Sequence, residues 1–343
     1  MICARKSFIR PINFSYTLSA CAQLVRLIDI EAPASAGIYR EKTMKTMLIA
    51  MLATAAAAFA GEARAEEKAK TGYVQNNGVN YYYEIKGEGE PLLLLHGGLG
   101  SVDMFAPIMP ALTEHRQVIA VDLQGHGRTA LGERDISLTD LGDDMAAVLK
   151  KLGYEKVDVL GYSFGGGVGF RLAVQHPDVV RRVALVSAGY AASGFYDDMR
   201  VQQAQVTAAA ADFMKDTPMY KSYVAVAPKP EDFPKLLDQM GSFMRKDYDY
   251  SEDVKTLKMP VMIVFADSDM YKPEHVVKFY QLLGGGLRDA GWMRETMSQN
   301  RLAIIPNRTH YDVFFAPELV STTLPFLDGQ TKVKSWDEMV EGK

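Results

Sequence analysis

Cysteine is almost absent from this sequence of 343 residues. There are two cysteines, Cys3 and Cys21, and both fall within the first 21 positions. The rest of the chain has no thiol from which to build a disulfide framework, a cysteine-ligated zinc site or a thiol nucleophile. Any chemistry performed by the folded part of the chain must therefore use other side chains.

Strong charge imbalance and blocks of like charge are missing as well. Lysine and arginine number 38 against 42 aspartate and glutamate, so the formal net charge is −4. Nucleic acids and anionic membranes select basic patches, and we expect neither as a partner. No histidine or acidic residues show metal-ligand spacing, so we expect neither a metal nor another cofactor.

One apolar run, near the N terminus, has the features of an export signal. Residues 44–65 carry a lysine, an apolar run at 47–59 and small residues ending at Ala60 and Ala65, the pattern of a secretory signal peptide. The run is too short to span a hydrocarbon core of ~30 Å, so we expect no stable membrane anchor. We interpret residues 1–43 as an extension ahead of a translation start at Met44, and we predict a periplasmic or secreted protein.

Cleavage after Ala65 would produce an acidic domain. It removes 8 basic and 4 acidic residues and leaves 278 residues with 30 basic against 38 acidic side chains, a net charge of −8. This length suits one large α/β domain, which we place at 66–343.

Short apolar runs in this domain alternate with longer amphipathic stretches. The runs are rich in Val, Ile and Leu, as is typical of buried parallel strands, and lie at 91–95, 117–121, 156–160, 182–186, 260–265 and 302–305. Residues 138–152 repeat apolar side chains at helical spacing, and Asn77-Gly78 between two short runs is a hairpin signal. The sequence predicts a doubly wound, mostly parallel α/β sheet entered through an antiparallel hairpin.

Residues at about 190–250 interrupt this alternation. They contain no strand-like run, but they do contain several Met and Phe residues on helical stretches broken by prolines. We predict an inserted helical cap, with core helices of the main domain as the alternative. Its methionines indicate an adaptable apolar pocket for small to medium substrates.

A Gly-Tyr-Ser-Phe-Gly motif at 161–165 follows a predicted strand and precedes a helix-like stretch. This is the strand-turn-helix setting of G-x-S-x-G, in which glycines two residues either side of the serine permit a tight turn. We predict Ser163 as a nucleophile, which requires a general base and an orienting carboxylate.

In this motif's family order, the acid and then the histidine follow the serine. His275 and His310 follow the predicted cap. His310 lies directly after the last predicted strand, where such a sheet places its site, so we predict it as the base and interpret His275 as a surface residue of a helix. The strand before it ends at Asp267 and Asp269, and the residues alone do not separate these two carboxylates.

Acyl transfer also requires two backbone N–H donors for the developing oxyanion. The amide of Phe164, directly after the nucleophile, is the first. His96-Gly97-Gly98 follows the strand predicted at 91–95 and is the place for the second donor. We interpret His96 itself as a structural residue that holds this loop.

With these motifs in place, the chain from about 73 to 326 resembles the α/β-hydrolase superfamily, and most of all its capped bacterial carboxylesterases. The segment from Asp122 to Thr129 is similar to that family's D-x-x-G-x-G-x-S turn, with threonine in place of serine. The family's acid ends a G-x-x-D pattern that is followed four residues later by proline. This pattern maps onto Ala266 and Asp269, with alanine where the family has glycine, so the resemblance selects Asp269 over Asp267.

The same resemblance assigns the second oxyanion donor to the amide of Gly98, with Leu99 as the fallback. It implies hydrolysis of a small-molecule carboxylic ester, lactone or thioester through an acyl-serine intermediate. Two other reactions with the same triad stay open, namely carbon–carbon bond cleavage in diketones and cofactor-free perhydrolysis. Epoxide hydrolases and haloalkane dehalogenases place aspartate where Ser163 stands and are disfavoured.

Two further interpretations are open at this point. A non-catalytic binding module on the same fold would have lost part of the triad or oxyanion loop, and here every part is present. The glycine-rich stretch at 284–300, with Trp292, either overhangs the site or forms a solvated loop. The sequence leaves the oligomeric state open.

Overall fold

The computed structural model describes residues 69–330 together with positions 336 and 340. The signal peptide predicted at 44–65, the extension at 1–43 and both cysteines lie outside these residues. Within them, no helix combines the length and the apolar character needed to cross a membrane.

Eight strands in the described part of the chain form one sheet. In chain order they are β1 (Lys70–Asn76), β2 (Val79–Lys86), β3 (Glu90–Leu95), β4 (Arg116–Val121), β5 (Val157–Tyr162), β6 (Val180–Val186), β7 (Val261–Ser268) and β8 (Arg301–Thr309). Their spatial order is β1-β2-β4-β3-β5-β6-β7-β8, with β1 and β2 antiparallel to their neighbours and β3 to β8 mutually parallel. The predicted runs fall on β3 to β8, and the predicted fold class is confirmed.

The α-helices of this part are α1 (Met109–Thr113), α2 (Leu138–Leu152), α3 (Phe164–Gln175), α4 (Asp197–Ala204), α5 (Ala211–Met214), α6 (Pro218–Val226), α7 (Phe233–Arg245), α8 (Ser251–Thr256), α9 (Pro273–Leu282) and α10 (Pro317–Leu327). The helix predicted at 138–152 is α2, with the same bounds. Its first turn is capped by the Ser137 hydroxyl, which accepts from the amide of Asp140. The N-terminal hairpin turns through Asn77 and Gly78, both with positive φ, as a two-residue hairpin turn requires.

The central strands are buried on both faces. On β3, Leu93 and Leu95 join the cluster of apolar side chains that includes α2 and α3, whereas Leu92 and Leu94 join the opposite cluster with α1 and α10. This alternation follows from the two-residue period of a strand. Each of the four leucines is fully buried, and burial of one such side chain stabilises a fold by about 1.5–3 kcal/mol.

Helices α4 to α7 occupy the connection between β6 and β7, and we call residues 192–245 the cap. Helix α7 buries one face, which carries Phe233, Leu236, Leu237 and Met240. These side chains join the same apolar cluster as α2 and α3. The cap therefore packs against the helical layer on one face of the sheet and contributes to the cavity described below.

Candidate active site

Ser163 occupies the turn between β5 and α3. The strand ends at Tyr162 and the helix begins at Phe164, so a single residue makes the connection. Its φ of 51° and ψ of −115° lie outside the ordinary regions for a residue with a side chain. Such strain is held in place by the surrounding structure and is common at functional sites. Here it belongs to a turn of the nucleophile-elbow type.

The flanking glycines make this turn possible. A Cβ atom on Gly161 would lie 2.4 Å from the carbonyl oxygen of Gly165, and one on Gly165 would lie 2.4 Å from the carbonyl oxygens of both Leu95 and His96. Because these contacts are with backbone, no side-chain movement could relieve them. The glycines let α3 begin directly against β3 and β5.

Ser163, His310 and Asp269 form one hydrogen-bonded chain at the carboxyl ends of the strands. The Oγ atom of Ser163 is 3.0 Å from Nε2 of His310, and Nδ1 of His310 is 2.9 Å from Oδ1 of Asp269. An ionised carboxylate can only accept, so Nδ1–H donates to it and Nε2 is left to accept the serine proton. The structure thus brings the predicted nucleophile, base and acid together.

The carboxylate of Asp269 has several other donors. Its Oδ1 accepts from the amide of Met270 at 2.8 Å, and its Oδ2 accepts from the Ser187 hydroxyl at 2.5 Å and from the amide of Ala266 at 3.1 Å. Burial alone would raise the pKa of Asp269, but the hydrogen bond and charge of His310, with the other donors, hold that pKa below its ordinary value. The carboxylate is therefore ionised at neutral pH.

Asp267 points elsewhere. Its carboxylate is exposed and accepts from the amides of Asn307, at 2.9 Å, and Arg308, at 3.2 Å. It therefore braces the chain that leads into His310 without contacting the imidazole. The tertiary structure separates two carboxylates that the residues alone left equivalent.

Two residues that hold the triad in place were missed at the sequence level. Ser187 follows β6, is fully buried and has a left-handed φ of 49°. Tyr162 donates its hydroxyl to the backbone carbonyl of His310 at 2.6 Å. A lone serine after a strand forms no pattern, and Tyr162 occupies a motif position that accepts any residue, so neither carried a usable signal.

The loop after β3 and the start of α3 present free amides beside Ser163. Gly98, Leu99 and Phe164 line the same cavity as Ser163. Among the described residues, the amides of Gly98 and Phe164 donate to no other group. These are the two amides predicted for an oxyanion site, and the choice of Gly98 over Leu99 stays a prediction.

His96 and His126 are buried next to this loop. The Nε2 atom of His96 accepts from the amide of Leu123 at 2.9 Å, and its Nδ1 bonds to the carbonyl of Gly97 at 2.7 Å. Burial lowers the pKa of His96 to about 4 and that of His126 to about 3, so both are neutral at pH 7. His126 stacks on Phe164 with ring centroids 5.6 Å apart, and both histidines support the oxyanion loop.

The turn that begins at Asp122 anchors the same region. The Asp122 carboxylate accepts from the amides of Val102 and Arg128, each at 2.8 Å. The hydroxyl of Thr129 donates to the backbone carbonyl of Asp122 at 2.7 Å. Threonine therefore provides the hydroxyl that the family's usual serine carries.

Ser163 opens into a cavity of about 1080 Å³ beneath the cap. Its walls are mainly apolar and include six methionines, Met104, Met199, Met219, Met240, Met244 and Met270. Flexible methionine side chains adapt to irregular ligand shapes. The acidic and basic side chains among the described cavity walls are Asp103, Arg200 and His310.

Two expectations about residues near the site have clear outcomes. The expectation that His275 is a surface residue was wrong: it lies on α9, is 6% exposed, and stacks on Tyr190 with centroids 4.2 Å apart, because this face of α9 packs against the segment after β6. No residue of the 284–300 loop lines the cavity in the described structure. Trp292 is 81% exposed and packs against Trp336, so the loop does not overhang the site.

Among the residues that the structure describes, no three His, Cys, Asp or Glu side chains form a group that could hold a metal ion.

Comparisons with known proteins agree with the geometry. The profile of the family described as the α/β hydrolase fold matches residues 90–251, which include Ser163. The chain is 28% identical over 235 residues to RutD of Azorhizobium caulinodans, named as a candidate carbamate hydrolase, and this match covers 64% of the chain and 87% of the relative.

Solved structures show the same fold. The enol-lactonase of Burkholderia xenovorans matches with a TM-score of 0.58 at 19% identity, covering 75% of this chain and all of the enzyme. The carboxylesterase CesB of Bacillus subtilis matches with a TM-score of 0.59 at 18% identity, covering 76% of this chain and 92% of the esterase. With the strand order, the serine turn and these comparisons taken together, the chain has the α/β-hydrolase fold and resembles the family of that name.

Proposed function

We propose that this protein is a serine hydrolase that cleaves carboxylic esters, or the related lactones and thioesters, of small to medium apolar substrates. The observation that carries the proposal is the hydrogen-bonded chain from Ser163 through His310 to the ionised Asp269. A serine hydroxyl is a weak nucleophile until a base is positioned to take its proton. This geometry supplies the base in the required tautomer.

In the acylation half-reaction, Oγ of Ser163 forms a bond to the ester carbonyl carbon while its proton moves to Nε2 of His310. The carbonyl π electrons move onto the oxygen, and the free amides of Gly98 and Phe164 stabilise that oxyanion. Collapse of this intermediate breaks the bond to the leaving oxygen, which takes the proton from His310. Asp269 stabilises the transient imidazolium.

Deacylation repeats these steps with water. His310 takes a proton from the water as its oxygen adds to the acyl carbon, and then returns a proton to Oγ of Ser163 as the carboxylic acid departs. The free enzyme is restored, with one water consumed per ester bond. Apart from this water, every group that takes part belongs to the chain or to the substrate.

The cavity supports apolar substrates. Its methionine-rich walls favour alkyl or aryl groups over highly polar ones. The cap contributes four of the six methionines, so acyl or alcohol groups of several shapes can be accommodated. We also propose that the enzyme acts outside the cytoplasm, on the basis of the signal-like segment at 44–65.

Labelling and turnover test the proposal. A fluorophosphonate probe should react covalently with the wild-type protein but not with Ser163→Ala, because the probe requires an activated serine. The same variant should lose about 10³-fold or more in the hydrolysis of a short-chain ester without unfolding. Ester hydrolysis retained by pure Ser163→Ala would refute the mechanism.

Parallel assays with a diketone and with peroxide plus a carboxylic acid separate carbon–carbon cleavage and perhydrolysis from ester cleavage. All three reactions depend on Ser163. If the diketone or the perhydrolysis substrates are turned over faster than every ester in a chain-length panel, that reaction is the main activity and ester hydrolysis is not. A non-catalytic module would leave both the probe and the esters untouched.

A further inference from the structure

A second cavity adjoins the one that contains Ser163. It measures about 640 Å³ and shares three wall residues with the catalytic cavity, Phe195, Arg200 and Tyr248. These three residues therefore form the boundary between the two spaces. Two of them carry hydrogen-bond donors.

Arg200 brings a permanent positive charge to the apolar cavity. It extends from α4, where Nη1 donates to the carbonyl of Met244 at 2.7 Å and Nη2 donates to Asp247 at 2.8 Å. A guanidinium has five N–H donors, so three have no partner among the residues described. The hydrogen bonds to Met244 and Asp247 hold the planar guanidinium in one orientation.

Tyr248 adds a hydroxyl donor at the same boundary. Tyr248 lies beside Tyr271, and a hydrogen bond between the two side chains acts to lower the pKa of Tyr248. Burial nevertheless raises the pKa of Tyr248 above its ordinary value, while the nearby charge of Arg200 acts against that rise. The phenol is therefore protonated at neutral pH and carries a hydroxyl donor.

Asp247 forms an ion pair with Arg200 at 2.8 Å, but its side chain is 93% exposed and lines the outer cavity, so the remaining N–H groups of the guanidinium stay available to a ligand. Asp197, Asp247 and Asp249 line the outer cavity and not the catalytic one. The one carboxylate in the catalytic cavity wall, Asp103, is paired with Arg128 through contacts of 3.0 and 3.2 Å. Among the described wall residues of the catalytic cavity, Arg200 is thus the one arginine or lysine, and its partner Asp247 lines only the outer cavity.

We propose that Arg200 and Tyr248 form an anion subsite that binds a carboxylate on the substrate, distal to the bond that Ser163 attacks. This inference rests on the proposed esterase function and narrows its substrate class to monoesters of dicarboxylic acids and lactones that bear a carboxylate. The guanidinium and the phenol each donate a charge-assisted hydrogen bond to the carboxylate. The apolar walls hold the chain that joins the two functional groups.

A comparison of matched esters tests the subsite. The wild-type kcat/KM is measured at pH 7.5 for monoethyl and diethyl esters of dicarboxylic acids with four to eight carbons, which differ only in the distal charge. At the best chain length, Arg200→Gln should lower the monoester-to-diester ratio by about 10-fold or more, and Tyr248→Phe should lower it by a smaller factor. Lys272→Gln is the control, because Lys272 lines only the outer cavity and pairs with Asp197; its ratio should equal that of the wild type.

An unchanged ratio in Arg200→Gln, with a melting temperature matching that of the wild type, would overturn the subsite. So would an equal fall in the ratio for Lys272→Gln, because the effect would then be one of overall charge.

Calorimetric binding of the free dicarboxylates to Ser163→Ala separates this inference from the proposed function. The dicarboxylate should bind to Ser163→Ala at least about 10-fold more tightly than to Ser163→Ala with Arg200→Gln. The difference in affinity is expected even if the wild-type protein turns over no ester. Absence of turnover would count against the esterase proposal alone. Equal affinity for both proteins, or no binding to either, would refute the subsite.

Discussion

Replacing Asp269 with asparagine removes the charge beside His310 while preserving side-chain size. The carboxylate accepts from His310 and Met270 on one oxygen and from Ser187 and Ala266 on the other. An asparagine presents an NH₂ group to one of these pairs. If that group faces His310, Nδ1 must become the acceptor and Nε2 carries the proton, so the imidazole can no longer take one from Ser163.

If the amide takes the other orientation, the tautomer survives but the charge does not. Opposite unit charges 2.9 Å apart attract by about 6 kcal/mol at an effective dielectric constant of about 20. Loss of half of that, about 3 kcal/mol, from the transition state slows the reaction about 10²-fold. We therefore expect Asp269→Asn to lose about 10²-fold or more in kcat.

Asp267→Asn is the matched control, because it removes the same charge two residues away. Asp267 is exposed and accepts only from backbone amides, and an asparagine oxygen can still accept from them. We expect a loss of less than about 10-fold. Initial rates on a short-chain ester, normalised by fluorophosphonate titration of active sites, give the comparison. A larger loss from Asp267→Asn, or near-full activity in folded Asp269→Asn, would show that the assignment of the acid is wrong.

Three further outcomes are expected. The exported protein should begin near Gly61 or Glu66 by intact-mass measurement, whereas a cytoplasmic protein that keeps the leader would contradict export. The rate on a soluble ester should fall on acidification, because the imidazole of His310 must be neutral to take the proton from Ser163; a rate flat from pH 8 to 4.5, with the fold intact and chemistry rate-limiting, would exclude His310 as the base. Urea midpoints should be lower at pH 5 than at pH 7, because burial lowers the pKa values of His96 and His126 to about 4 and 3. The contribution of each histidine to the free energy of unfolding is fully present above ~6.5, the pKa of a histidine in the unfolded chain. As the pH falls toward the pKa values of the folded state, this contribution is lost, by about 2 kcal/mol per histidine between pH 6.5 and 5. Equal urea midpoints at the two pH values would contradict this.

Local sequence patterns were sufficient for the sheet and for the serine turn. The leucines of β3 form a continuous apolar run because that strand is buried on both faces, and such a run is visible without any knowledge of its neighbours. Gly161 and Gly165 indicate the turn in the sequence, because backbone atoms lie where the Cβ atoms of any other residue would be. These constraints act over a few residues and leave a direct trace in the sequence.

Contacts between distant segments were not visible in this way. The expectation for His275 failed because α9 packs against the segment after β6, a contact that helical spacing does not encode. Ser187 lies 82 positions from Asp269 along the chain and forms its hydrogen bond only when the ends of β6 and β7 meet. Long-range packing of this kind depends on which elements become neighbours.

The choice between Asp267 and Asp269 shows which features of the site follow from the sequence and which depend on the tertiary structure. The sequence by itself placed two carboxylates at the end of a strand beside the one that leads to His310, because parallel strands bring their carboxyl ends to one edge. The family resemblance selected Asp269, but only the tertiary structure showed the physical reason: Asp269 is buried against His310, while Asp267 accepts from backbone amides of the segment that leads to His310. Backbone pairing is set by local pattern, whereas the direction of a single carboxylate depends on donors contributed by residues far away in the chain.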